Sequence, residues 1–492
     1  MENNINNKTN QILFNIFLLL ILPIVVIAPM GTWIPLVVLA LIILCSVKDY
    51  KNITFEKKYI LFLVAFMIVT LLSYTILNFN IKILSKLLSL YILFFCFITI
   101  FSLYEYNISH KSTTIQLSVS FIISFFIIII DYFYQIGLKL WLSNNLDFKN
   151  FNNFYSLKNW ISLSEFKNNN QLIIKDYLYN TYDRGITALS VLAIPIYALC
   201  MFNNLKKIAF GILIITVIGL FSFYNITALI SYLLAYLLFF CLFFIKFFKK
   251  KILFIFISTY FIFSPFLLGK LDYKNFANYE NELYSRYVLL EKKILNDYPL
   301  FFSNEYNTED ESKKCCSFYK EAFKVFNSAD NKIPILFHSF SFSILKLEMK
   351  ILHRRAIWSF SKEKILEKPI LGHGIFSSRV IGDQNKIINH ENQNLSAIPL
   401  HPHNNVLQLW LELGIFGIML FFILICKVIN EIYKIKKVNE KYAAFGLASL
   451  FQVFLIGQFS YGFWQTWWIS IIFINIFIYN ILYKKLLQVS KN

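Results

Sequence analysis

Arginine occurs at five positions in this chain, Arg184, Arg286, Arg354, Arg355 and Arg379, although Lys and Arg together number 47. Where lysine supplies plain positive charge, a retained arginine suggests a need for the planar five-donor fork that grips phosphate oxygens in pairs. Histidine is concentrated as well: His338, His353, His373, His390, His401 and His403 share one stretch of sequence, and only His110 lies elsewhere. The last two belong to His401-Pro402-His403-Asn404-Asn405, a polar cluster that runs directly into an apolar helix. A histidine pair at that junction is hard to explain as packing. It could be a metal pair, since imidazole is a common zinc ligand, but the intervening proline and the lack of a nearby Asp, Glu or Cys cluster weigh against this.

The spacing of the junction carries more information. A helix beginning near His403 puts His403, Leu407, Trp410, Gly414 and Gly417 on one stripe, at steps of four, three, four and three. Gly414 and Gly417 would then let a neighbouring helix approach closely and fix the height and rotation of His403. Pro402 suits the residue before a helix start, and Asn404 can accept from free amides of the first turn. The plain alternative is that His403 and Asn404 only cap the helix.

The elements that must hold these residues are apolar. Of the 492 residues 57% are hydrophobic and 18% aromatic, with mean hydropathy +0.57, and apolar runs recur along the whole chain. No soluble core absorbs that many, so the fold class is an all-α polytopic membrane protein. At about 20 residues per span, helices are expected near 11–30, 33–47, 59–79, 83–103, 115–138, 185–202, 208–224, 226–246, 252–269, 404–426, 442–459 and 463–483, about twelve in all. The first run is too long for a signal-peptide core and is followed by no small-residue cleavage site, so it reads as a retained helix. Lysine-rich joints at 48–58, 203–207, 246–251 and 427–441 and the tail 484–492 fall on one side of this count, which the positive-inside rule makes cytoplasmic together with both termini. Three regions result: 1–269 with nine helices and a smaller periplasmic loop at 139–183, a large, mostly helical periplasmic loop at 270–403, and 404–492 with the last three helices. Within the large loop, Ile344 to Pro369 repeats apolar residues at helical spacing and is expected along the membrane surface. The net charge of +19 comes mainly from the joints, and no basic stripe with exposed aromatics argues for nucleic acid. Cys45, Cys96, Cys200, Cys241 and Cys426 lie in apolar runs, leaving only Cys315 and Cys316 for an oxidising space.

Several of these motifs resemble one family. His403-Asn404, nine residues, then Gly414-Ile415-Phe416-Gly417 looks like the histidine motif of bacterial O-antigen ligases, within the wider O-antigen ligase and polymerase family. Arg354-Arg355-Ala356-Ile357-Trp358 followed by Lys368 to Phe376 is similar to that family's Arg-x-x-x-Trp helix and Pro-x-x-Gly-x-Gly turn. Asp183 to Pro195 resembles its arginine-led mid-chain helix, with Arg184 at the matching position. The specific part covers Arg354 to Gly417. One departure is visible: many relatives have Ser-Arg where this chain begins a helix with Asn225-Ile226-Thr227, and Arg286 matches no motif.

The resemblance implies transfer of a glycan from undecaprenyl diphosphate to a lipid A-core acceptor at the periplasmic face of the bacterial inner membrane. It implies no metal or nucleotide cofactor, because a diphosphate leaving group needs its charge stabilised rather than a proton. A sugar hydroxyl is too weak an acid to attack unaided, and imidazole, with ordinary pKa about 6.5, can take its proton. The expected base is therefore His403. Arg184 and Arg354 are expected on the diphosphate, Arg355, Arg286, Asn404 and His401 are weaker substrate contacts, and Gly414 and Gly417 are structural. Glu391, Asp383 or Glu412 could act as base instead, although Glu412 lies deep in its helix. A polymerase with a second lipid-linked glycan as acceptor and a protein O-oligosaccharyltransferase share this donor chemistry. A flippase is the rival from another class, disfavoured by nearly charge-free spans and the absence of repeat symmetry.

Overall fold

The computed structural model describes residues 8–46, 57–75, 81–103, 110–133, 171–223, 225–244, 250–270, 273–297, 332–388 and 394–489. Helices dominate. Helices lie at each of the twelve expected stretches: α1 Lys8–Ile27, α2 Trp33–Ser46, α3 Lys57–Thr75, α4 Ile81–Leu103, α5 His110–Phe133, α6 Gln171–Phe202, α7 Lys206–Ser222, α8 Ile226–Phe244 and α9 Lys250–Leu268, then, after the large intervening segment, α13 Asn405–Val438, α14 Glu440–Phe459 and α15 Thr466–Val489. Among the described residues, eight helices are long and apolar enough to cross a membrane by length and composition, and shorter apolar stretches occupy α1, α2 and α3. The intervening segment holds α10 Phe276–Asp297, α11 Lys332–Glu367, α12 Ser377–Gln384 and a small hairpin pairing β1 Lys386–Ile388 with β2 Asn394–Ser396. The protein is an all-α polytopic membrane protein.

Two boundaries differ from the expectation. Helix α6 begins at Gln171, fourteen residues before the expected start at 185, so the helix runs on through the polar residues preceding Arg184. Helix α13 continues to Val438 through residues 427–438, which were expected as a loop. Asn439 both ends α13 and starts α14: its extended backbone stops the first helix, and its side chain accepts from the Tyr442 amide at 3.3 Å. Cys315, Cys316, His390, Glu391 and most of the 139–183 loop lie outside the described residues.

The chain forms two compact units. The first comprises Met1–Ile262, Pro369–Phe376 and His403–Asn492. Within it α6 is the most enclosed helix, packed against α1, α5, α7, α14 and α15. Aromatic rings fill the space around α13, where Phe66, Phe94, Phe421, Phe463 and Trp464 meet at ring distances of 4.6 to 6.3 Å. The second unit comprises Phe263–Lys368 and Ser377–Pro402, with α10 lying against α11 and β1.

Candidate active site

The first turn of α13 is built as its sequence demands. Asn404 is the N-cap, its Oδ1 accepting from the Leu407 amide at 2.9 Å. Its Nδ2 faces the Tyr260 hydroxyl and the Gln458 carbonyl, each at 3.4 Å, so both ends of this buried amide point at protein groups rather than outward to a ligand. His403 precedes the cap and is not helical. Its φ of +53° is left-handed backbone, a region histidine enters more readily than most side chains. The expected stripe from His403 to Gly417 is therefore wrong at its first member: the ring is aimed by a turn, not by helix register. His403 Nδ1 lies 3.1 Å from the Ser460 carbonyl. Ser460 follows the last residue of α14, where a carbonyl has no intrahelical donor. A carbonyl only accepts, so Nδ1 carries the proton and the basic lone pair of the neutral ring is on Nε2.

The glycines also differ from expectation. Gly414 has φ +60° and ψ −154°, a break in α13 that essentially only glycine can adopt. What approaches it is not a neighbouring helix but the Pro369–Phe376 turn: a Cβ on Gly414 would meet the Ile370 carbonyl oxygen at 2.3 Å. The turn bonds into the break, His373 N to Leu411 O at 2.8 Å, Gly374 N to Glu412 O at 3.0 Å and Ile415 N to Pro369 O at 2.9 Å. Carbonyls freed by the break are thereby satisfied, as an apolar helix requires. Gly417 sits over Leu413 of its own helix. Close approach of a second helix to α13 is instead permitted by Gly457 of α14, which lies against Asn405.

Glu412 is fully buried beneath this turn and is a hub. Its carboxylate accepts from Phe376 N at 2.6 Å, Trp464 Nε1 at 2.6 Å and Gln408 Nε2 at 3.1 Å, while the Gln408 Oε1 accepts from Phe463 N at 2.8 Å. These contacts give it a fastening role. The carboxylate of Asp383 is also engaged, by Arg379 and by Ser396.

Arg184 belongs to the same unit as His403. It is exposed, donates from Nη1 to the Met30 sulfur at 3.0 Å and lies 6.0 Å from the Trp467 ring. Among the described residues no carboxylate pairs with it. Its neighbour Asp183 is held elsewhere: Oδ1 accepts from Asn225 Nδ2 at 2.8 Å and Oδ2 from the Tyr461 hydroxyl at 2.9 Å. Tyr461 also meets Thr187 at 3.0 Å, and Asn225 caps α8 through the Ala228 amide at 3.0 Å. Burial and the Asp183 charge push the Tyr461 phenol well above its ordinary range, so it stays a donor. Asn225 is thus a buried cap and an Asp183 partner.

The second unit holds the remaining candidates. Arg354 is half-buried on α11, and burial lowers its pKa because the cation loses hydration. Neither Arg354 nor exposed Arg355 pairs with a carboxylate among the described residues. Arg286 faces Glu348 at 3.4 Å and Arg379 faces Asp383 at 3.7 Å, both at exposed sites. One turn after Arg354, Trp358 donates from Nε1 to the Pro402 carbonyl at 2.9 Å. His401 is buried, and among the described residues no three His, Cys, Asp or Glu side chains cluster as metal ligands would. A cavity of about 760 Å³ in the first unit, lined by residues including Lys250, Lys427, Tyr433 and Glu440, contains none of the candidates.

The fold defines the class, an all-α, multi-pass membrane protein. Residues 213–422, less than half of the chain, match the family model described as O-Antigen ligase. The chain is also similar to proteins named "Putative polysaccharide ligase" from three Rickettsia species. The match to the Rickettsia typhi protein is 43% identical over 133 residues, 27% of this chain and 32% of that protein. The Rickettsia conorii protein is 44% identical over 120 residues, 24% and 28% of the two chains, and the Rickettsia prowazekii protein 46% over 119 residues, 24% and 29%. The chain thus spans about a third of the length of the curated relatives it matches.

Proposed function

We propose that this protein transfers a glycan from undecaprenyl diphosphate to a lipid A-core acceptor on the periplasmic face of the inner membrane, with both termini in the cytoplasm and 270–403 as the catalytic loop. The acceptor hydroxyl oxygen attacks the anomeric carbon as the bond from that carbon to the diphosphate oxygen breaks, inverting the configuration. The hydroxyl proton passes to Nε2 of His403. Undecaprenyl diphosphate leaves, its charge met by Arg184 and Arg354, with Arg355 a weaker contact. The chemistry assigned to these side chains needs no cofactor.

One observation carries this reading: the His403 ring is tethered through Nδ1 to the Ser460 carbonyl, the arrangement that leaves Nε2 as the basic nitrogen. The test incubates purified protein with undecaprenyl-diphosphate glycan and with lipid A core, separately and together. Product formed only when both are present supports the ligase. Glycan extension with the donor alone overturns it in favour of a polymerase, and transfer only to an added protein in favour of protein glycosylation.

A further inference from the structure

Asp183 and Arg184 are adjacent and oppositely charged, yet they do not pair. We infer that Tyr461 is a positioning residue for donor binding: its hydroxyl, acting with Asn225, holds the Asp183 carboxylate away from Arg184 and so keeps that guanidinium for the diphosphate. This deepens the reading above and rests on Arg184 as a donor contact.

The geometry accounts for both oxygens of the carboxylate. Oδ1 accepts from the Asn225 amide at 2.8 Å and Oδ2 from the Tyr461 hydroxyl at 2.9 Å. Both donors are fixed by other contacts. Asn225 also donates to Thr187 at 2.7 Å and caps α8. The Tyr461 ring lies edge-on to Trp467 at 4.6 Å and tilted against Trp468 at 5.6 Å. Arg184, left with a thioether and the Trp467 ring, has partners that an anionic oxygen would readily outcompete. Tyr461 also follows Ser460 directly, and the Ser460 carbonyl accepts from His403. The two-residue segment after α14 therefore touches the proposed base with one residue and the neighbour of the proposed phosphate ligand with the next.

Tyr461→Phe removes one of the hydrogen bonds that hold the Asp183 carboxylate, so that carboxylate competes better with the donor for Arg184. Tyr461→Phe retains the ring packing, so the fold is expected to survive. The full chain in nanodiscs is measured for binding of undecaprenyl diphosphate alone, then for donor KM and kcat. Tyr461→Phe should weaken lipid diphosphate binding and raise donor KM about tenfold, the equivalent of one charge-assisted contact, with kcat changed less than about threefold. Asn225→Ser, which keeps a capping side chain but removes the amide donor, should shift both in the same direction. Asp183→Asn combined with Tyr461→Phe should restore binding, because the competing charge is gone.

Unchanged binding by Tyr461→Phe overturns the inference. So does a double variant as weak as the single one, since the tyrosine would then act through the fold rather than through Asp183. A wild-type protein that binds the lipid diphosphate but transfers no glycan sinks the proposed reaction alone, and the binding comparison still decides the role of Tyr461.

Discussion

Gly414→Ala should unseat the Pro369–Phe376 turn from α13. The native φ of +60° with ψ of −154° is closed to alanine, and the new Cβ would sit 2.3 Å from the Ile370 carbonyl oxygen and 2.7 Å from the Gly372 nitrogen. Both obstacles are backbone, so no side chain can rotate aside. Backbone strain of this kind costs about 1–3 kcal/mol. Displacing the turn forfeits three backbone hydrogen bonds, worth about 0.5–1.5 kcal/mol each. The costs are alternatives in part, since a displaced turn lets the helix relax, and a net loss of about 3–5 kcal/mol is expected. Gly211→Ala is the matched control: it is helical with nothing within 4 Å of the added methyl, so a gain of about 0.5–1 kcal/mol follows from propensity alone. The assay is the melting midpoint in detergent together with hydrogen exchange at the His373, Gly374 and Ile415 amides. A Gly414→Ala protein melting within about one degree of wild type, with those amides still protected, would refute the reasoning.

The other predictions are shorter. His403→Ala should abolish transfer while the protein still inserts and binds undecaprenyl diphosphate, and a fully active variant would end the assignment of the base. Glu412→Ala strands the Phe376 amide and the Trp464 indole N–H in the interior and should cost about 3 kcal/mol or more, whereas Glu412→Gln keeps an acceptor and should cost less; equal melting losses would mean that the carboxylate charge, not its hydrogen bonds, is what counts. His353 has its pKa lowered by burial, opposed by Glu280 and helped by Arg354. Its unfolded form takes up a proton first, so stability is full above the ordinary histidine pKa and falls as pH drops from there toward the lowered folded value. The melting midpoint should decline over that interval, and His353→Phe, which keeps an aromatic ring beside Phe276, should flatten the decline.

The helices were legible because apolar run length is a property of sequence, and the Asn404 cap because a capping residue needs only its immediate neighbours. The hub at Glu412 was not. It looked too deep to matter, since nothing in the chain order reveals that Phe376 and Trp464 bring it two donors. Gly414 was recognised as structural, but a small residue reads alike whether it admits a helix or a turn, and only the backbone angles decide between them. The helix starts at Asn405 rather than near His403, and a left-handed histidine leaves almost no sequence signal of that difference. Scarcity of arginine marked Arg184 and Arg354 but could not separate them from Arg286 and Arg379, whose acid partners emerge only in three dimensions.

The break in α13 and the turn that fills it are two halves of one part. Neither half is stable in an apolar setting without the other, because each satisfies the backbone polar groups that the other exposes. They are separated in sequence by Ser377–Pro402, which belongs to the second unit. In any chimera the Pro369–Phe376 turn and α13 must therefore travel together, and an exchange that splits them imports a broken helix with nothing to mend it.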